Sequence, residues 1–216
     1  MSVAEQSRPS PQKADIPADA STWFGRGVQA SYQQQFFQAI DAYTEAISLN
    51  PQFTAAYINR GAAFRHLKNY TRALQDFSQA LSLDRSEAKA YINRGIIYSE
   101  MGDKVLAIEN YTRAIQLKPT YARAYYNRGT VRAEMGDDLI AIEDFSQAIS
   151  LSANYAKAYY SRGQTYQKLG RYDVATQDFY RAARLFQESG ALEDYKRVMS
   201  KLKVRKLLPV EFMVSR

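Results

Sequence analysis

Glycine recurs at positions 27, 61, 95, 129 and 163, always 34 residues apart and each time after an arginine. Alanine keeps the same step at 39, 73, 107, 141 and 175, and again at 46, 80, 114, 148 and 182. Identity held at one period in several columns constrains a chain more than local propensity does, because each unit must then meet its neighbour in the same way. The chain reads as five tandem units over residues 20–187, divided as 20–53, 54–87, 88–121, 122–155 and 156–187.

In the second unit, Tyr57, Gly61, Phe64 and Leu67 follow a spacing of three to four, which predicts a helix. After a polar break, Ala73, Leu74, Phe77, Ala80 and Leu81 repeat that spacing in a second helix. Each unit is therefore a helical hairpin. Gly102, Gly136 and Gly170 offer positive φ at the turn of three hairpins, where the first two units carry Gln34 and Lys68. A mid-helix glycine costs about 1 kcal/mol relative to alanine, so the glycine column needs a packing compensation. The expectation is close approach of two helix backbones, Gly61 lying against Ala73, with the Ala80 column facing the next unit. Aromatics four residues before each glycine (Trp23, Tyr57, Tyr91, Tyr125, Tyr159) and in the second helix (Tyr43, Phe77, Tyr111, Phe145, Phe179) fill the wider spaces.

This order of aromatic, glycine, aromatic, alanine, aromatic, alanine and proline at a 34-residue period resembles the tetratricopeptide repeat (TPR). Pro51 and Pro119 keep the proline, which Arg85, Ala153 and Gln187 replace, and Ala30 and Arg132 replace one aromatic. The resemblance implies an all-α fold, an α-solenoid wound as a right-handed superhelix. Its inner surface would be lined by the first helices, and its role would be to bind protein. The repeats and their basic end also resemble those of TPR proteins common in photosynthetic bacteria, some of which help assemble photosystems.

Beyond the repeats, residues 1–19 carry three prolines and read as a disordered leader without the apolar stretch of a signal peptide. Leu192, Tyr195, Val198, Met199 and Leu202 form an apolar stripe, predicting a capping helix over 191–206 with a basic outer face of Lys196, Arg197, Lys201, Lys203, Arg205 and Lys206. Of the chain's net charge of +7, +4 lies in residues 184–216. Residues 207–216 form an apolar tail that can dock on the array or on a partner. The absence of cysteine excludes disulfides and thiol chemistry and fits a reducing compartment. No stretch is apolar enough to span a membrane. The expectation is a cytoplasmic protein, or a stromal one in a plastid-bearing host, compatible with peripheral membrane association and with self-association.

Three columns bear on function. Two residues before the glycine stand Asn59, Asn93 and Asn127, whose amides offer both a donor and an acceptor to an extended peptide. Six before it come Lys89, Arg123 and Lys157, one turn away on the same face, suited to an acidic segment or a terminal carboxylate. Three before it lie Ile58, Ile92, Tyr126 and Tyr160, preceded by Phe24. TPR proteins that clamp a chaperone's C-terminal carboxylate need lysine there and asparagine after the glycine. The latter column is Val28, Ala62, Ile96, Thr130 and Gln164, so the full clamp is absent. The expected partner is an acidic protein segment or helix with apolar anchors.

The arginine before each glycine invites a nucleic-acid reading, but Asp76, Asp144 and Asp178 follow Arg60, Arg128 and Arg162 by sixteen residues, with Asn110 matching Arg94. A ladder of internal pairs explains both columns. His66, the single histidine, has no recurrent carboxylate partner and reads as a surface residue. Neither a phosphate-cradling glycine loop nor an acid/base or metal-binding pattern appears, so the expectation is a non-enzyme without cofactors. The alternative is an RNA-binding helical repeat, suggested by a pI near 9.4 and by groove tyrosines able to stack bases.

Overall fold

The computed structural model describes residues 19–206. The leader's residues before Asp19 and the tail 207–216 lie outside the described residues. Eleven helices follow one another: α1 (Ala20–Tyr32), α2 (Phe36–Leu49), α3 (Thr54–His66), α4 (Tyr70–Leu83), α5 (Ala88–Glu100), α6 (Lys104–Leu117), α7 (Ala122–Met135), α8 (Asp138–Leu151), α9 (Ala156–Lys168), α10 (Tyr172–Glu188) and α11 (Leu192–Lys206). They pair as five antiparallel hairpins stacked on one another, an α-solenoid, with α11 packed on α10. First helices of successive hairpins touch each other, whereas no comparable contact joins successive second helices. The array therefore bends toward its first helices, which form the inner face.

The hairpin turns use left-handed backbone at one position each. Gly102, Gly136 and Gly170 have φ of +85°, +95° and +73°, and Gln34 and Lys68 adopt 59° and 58° at the same place. The strained conformation is thus set by the hairpin and merely eased by glycine.

The mid-helix glycines have a different neighbour from the one expected. A Cβ on Gly61 would lie 2.9 Å from the Phe77 ring, and the same holds for Gly27 with Tyr43, Gly95 with Tyr111, Gly129 with Phe145 and Gly163 with Phe179. Each glycine makes room for an aromatic ring sixteen residues on, and the alanine column expected from sequence comes close as well at Gly163, where a Cβ would lie 3.2 Å from the Ala175 carbonyl oxygen. The ring stands on the second helix and fills the volume beside the glycine. Both alanine columns are buried throughout, and the second joins adjacent hairpins: Ala80 shares a core with Ala90 and Ile97, and Ala114 with Ala124.

Helix α11 closes the C-terminal end. Val198 and Leu202 are buried against Ala175, Phe179, Ala182 and Phe186 of α10, with Tyr195 and Met199 beside them. Leu192, read from sequence as part of that stripe, is exposed, because it begins the helix before it reaches α10.

Two glycines in α1 separate helix propensity from packing. Gly25 has open space around a new Cβ, whereas Gly27 meets the Tyr43 ring at 2.5 Å. Gly25→Ala should stabilise the fold by about 1 kcal/mol, and Gly27→Ala should destabilise it by about 1–3 kcal/mol through overpacking. Opposite shifts in thermal midpoint are the expected outcome.

Candidate functional site

The arginine column is internal to the stack. Arg60 donates from Nε to Asp76 Oδ2 at 2.9 Å and from Nη2 to Oδ1 at 2.8 Å, a bidentate contact across one hairpin. Its third nitrogen, Nη1, donates to Thr44 Oγ1 of the preceding hairpin at 3.0 Å. Arg128 repeats this with Asp144 and Thr112, and Arg162 with Asp178 and Ser146. Arg94 bonds Asn110 Oδ1 at 2.8 Å, and the Asn110 amide donates to Leu106 O. Each guanidinium also lies over the aromatic three residues earlier, Arg60 over Tyr57 at 5.6 Å. Burial pushes the Asp76 carboxyl above its usual range despite Arg60, while the contact with Asp178 raises Arg162. With their nitrogens satisfied inside the stack, Arg60, Arg128 and Arg162 offer little to phosphate.

The inner face follows from the flank of the first helices left uncovered. Asn59, Asn93 and Asn127 are half-buried on it. Asn59 reaches the Tyr43 hydroxyl, which also shares a hydrogen bond with Ser31 at 3.1 Å; burial nevertheless pushes that phenol up. Asn127 Nδ2 is buried without a hydrogen-bond partner. Lys89, Arg123 and Lys157 are exposed, and none joins an ion pair among the described residues. All three are second residues of their helices, α5, α7 and α9. Those helices have no acidic residue in the first turn and no side-chain cap. A cation beside unsatisfied N–H groups opposes the helix dipole at α7 and α9, whereas at α5 the N-cap residue Glu87 sets a carboxylate two residues from Lys89.

The apolar column divides. Ile58 and Ile92 are only 6% and 2% exposed, so they do not line the groove as expected from sequence. Tyr126 and Tyr160 point the same way but are long enough to emerge half-buried. Tyr126 packs on Tyr155 at 5.0 Å and Phe145 at 6.0 Å. Burial pushes the Tyr155 phenol up to about 12, against the pull of Arg123. Tyr160 packs on Phe179 and lies beneath Arg197 of α11 at 5.3 Å, so the cap covers the last groove tyrosine.

Two clefts open on this face. One of about 300 Å³ between α1 and α3 is lined by Val28, Tyr32, Phe36, Asn59, Ala62 and His66. His66 is exposed as expected, yet its ring stacks on Phe36 at 4.5 Å, and burial and the neighbouring Arg65 lower its pKa. The other cleft, of about 330 Å³ between α7 and α9, is polar, with Thr130, Glu134, Ser161, Gln164 and Lys168. Charged pairs bridge hairpins near the turns: Arg65–Glu100 at 3.1 Å, Lys104–Glu134 at 3.6 Å and Lys168–Asp138 at 2.8 Å. Sequence reading missed this lacing because complementary charges fall in columns that are not identical from unit to unit. Among the described residues no group of three or more His, Cys, Asp or Glu could hold a metal ion, and no helix is long and apolar enough to cross a membrane.

Family models of the tetratricopeptide repeat match residues 54–87, 88–121 and 156–189, and a TPR repeat model matches 140–170. No curated protein matches the chain. Among solved structures, MamA is similar at 28% identity over 76% of this chain and 96% of that one, with a TM-score of 0.67. YrrB, described as a TPR protein with an unusual peptide-binding site, is 20% identical over 88% and 94%, with a TM-score of 0.64. PilF of Pseudomonas aeruginosa is 18% identical over 90% and 95%, with a TM-score of 0.72. At those identities YrrB and PilF share the fold alone.

Asp144 tests the ladder most severely, because it also accepts from Arg132 at 2.8 Å. Asp144→Ala leaves two guanidinium groups without a counter-charge in a largely buried setting and should cost about 3–5 kcal/mol. Denaturant unfolding of this variant beside Asp138→Ala, whose lysine partner is exposed, should show a much larger loss at Asp144.

Proposed function

We propose, from the premise that the chain belongs to the tetratricopeptide-repeat family, that it is a non-enzymatic interaction scaffold whose inner face takes a segment of a partner protein during assembly or targeting of a larger complex. The observation that carries this reading is the contrast between two sets of cations. Arg60, Arg128 and Arg162 are fully engaged, while Lys89, Arg123 and Lys157 stand exposed near the N-terminal ends of their helices, in no ion pair among the described residues. Such placement breaks a local rule without a structural return, as functional surfaces do.

The half-buried asparagines beside that rim suit the main chain of the segment. The trio suits acidic side chains or a terminal carboxylate. Apolar anchors would find Tyr126 and the cleft walled by Val28 and Phe36. The peptide-binding site named for YrrB supports a peptide ligand on this fold.

A library of acidic peptides with spaced apolar residues, screened against the full chain, tests the reading. Asn93→Ala with Asn127→Ala should weaken a captured peptide by about 0.5–1.5 kcal/mol per lost hydrogen bond. Lys89→Glu with Arg123→Glu should mainly slow association. Lys196→Glu with Lys201→Glu, on the outer face of α11, should leave binding unchanged. Loss only in the α11 variant, or preference for polyuridine with steep salt dependence, would replace the groove reading by a basic-end or RNA-binding one.

A further inference from the structure

The cleft between α1 and α3 and the cleft between α7 and α9 are the same place in the repeat. Val28, Phe36 and Ala62 of the first correspond to Thr130, Asp138 and Gln164 of the other, three periods on. Four junctions between hairpins offer that place, and each furnishes it differently. At the second and third junctions the bulkier pairs Ile96–Ile97 and Thr130–Val131 stand where the first has Ala62–Ala63. The rim changes as well. It joins the first residue of one second helix to the end of the next first helix: Phe36 with His66, Tyr70 with Glu100, Lys104 with Glu134 and Asp138 with Lys168. The later three carry charge, whereas the first is an aromatic stack in which burial and Arg65 hold His66 neutral at neutral pH.

The first cleft is therefore open and uncharged at once. Val28, Phe36, Ala62 and the His66 ring wall it, and Tyr32 stands beside it 85% exposed. Its lining also includes a polar group, the Tyr43 hydroxyl, which shares a hydrogen bond with Ser31 and lies beside Asn59. An exposed ring next to an apolar cleft suits offset stacking with a second aromatic side chain, and these oxygens can accept from an indole N–H or a phenol. Lys89 and Arg123 lie farther along the groove and at the opposite ends of their helices. From the cleft to them the path crosses about 15–25 Å, at about 10 Å per packed helix. It also runs about 10–16 Å along the helices at the helical rise. The diagonal of about 20–30 Å takes about six to nine residues of extended chain.

Resting on the groove reading above, we infer that the α1–α3 cleft is the anchor site of the bound segment, taking one tryptophan or tyrosine side chain while acidic residues about six to nine positions away meet Lys89 and Arg123. The equivalent cleft at the fourth junction is polar and rimmed by the Asp138–Lys168 pair, so it does not take that anchor. The two ends of the groove thus differ in chemistry, and the segment binds in one register.

Fluorescein-labelled peptides with one tryptophan, a Gly-Ser spacer of about eight residues and three aspartates, titrated against the full chain by fluorescence anisotropy, test the inference. The tryptophan peptide should bind at least tenfold tighter than the same peptide with glycine in place of tryptophan. Shortening the spacer to one residue should lose at least fivefold. Ala62→Ile copies the residue that the array already accommodates at Ile96. It should abolish the tryptophan gain and leave the glycine peptide unaffected. Tyr32→Ser, at a position outside the packed columns, should cut the gain at least threefold with no change in thermal midpoint. Equal binding of the two peptides, or a gain that survives both substitutions, would overturn the anchor site alone, provided Lys89→Glu with Arg123→Glu still weakens both peptides. No binding by either peptide would overturn the groove reading and the anchor site with it.

Discussion

Everything in this array depends on one guanidinium group that touches three helices. Arg60, Arg128 and Arg162 each hold the second helix of their own hairpin through a carboxylate and that of the preceding hairpin through a hydroxyl. The residue after each arginine is the glycine that admits an aromatic ring from the same second helix. Polar and apolar contacts therefore share one offset of sixteen residues, and a hairpin that satisfies one satisfies the other. Buried ion pairs add little net stability, since desolvation offsets most of the attraction. Burial raising the Asp76 carboxyl even beside Arg60 is the same cost seen from the acid. What the pair supplies is register: a slipped hairpin would strand a charge, whereas slipped alanines would only pack less well.

That division explains how much was legible in sequence. Contacts repeated identically in each unit leave identical columns, so the hairpins, the turn positions and the Arg60–Asp76 ladder could be read from spacing. The partner of the glycine was misassigned because Ala73 and Phe77 lie on one helix four residues apart, and spacing alone cannot say which of them faces Gly61. The inner face was only partly legible. Ile58 and Tyr126 share a column and a direction, and only side-chain length decides that one is buried while the other surfaces. Inter-hairpin pairs such as Arg65–Glu100 were invisible, since their two ends fall in different columns of different units.

A solenoid is stable by nearest-neighbour contacts, so its units are free to diverge wherever a side chain leaves the packed columns. Divergence here is not scattered. The first two hairpins put Ser21 and Ala55 where later ones put Lys89, Arg123 and Lys157. The ladder also weakens toward the beginning: Arg26 faces Ala42 in the position of the carboxylate and keeps only its stack on Trp23 at 4.5 Å.

Hairpins three to five therefore share one departure, a cation at the second position of each first helix. It adds nothing to the hairpin core, since a cation there opposes the helix dipole. The packing columns are the same in all five units, so the hairpin core does not require this departure. Its place on the uncovered flank of the first helices is what the proposed groove rests on.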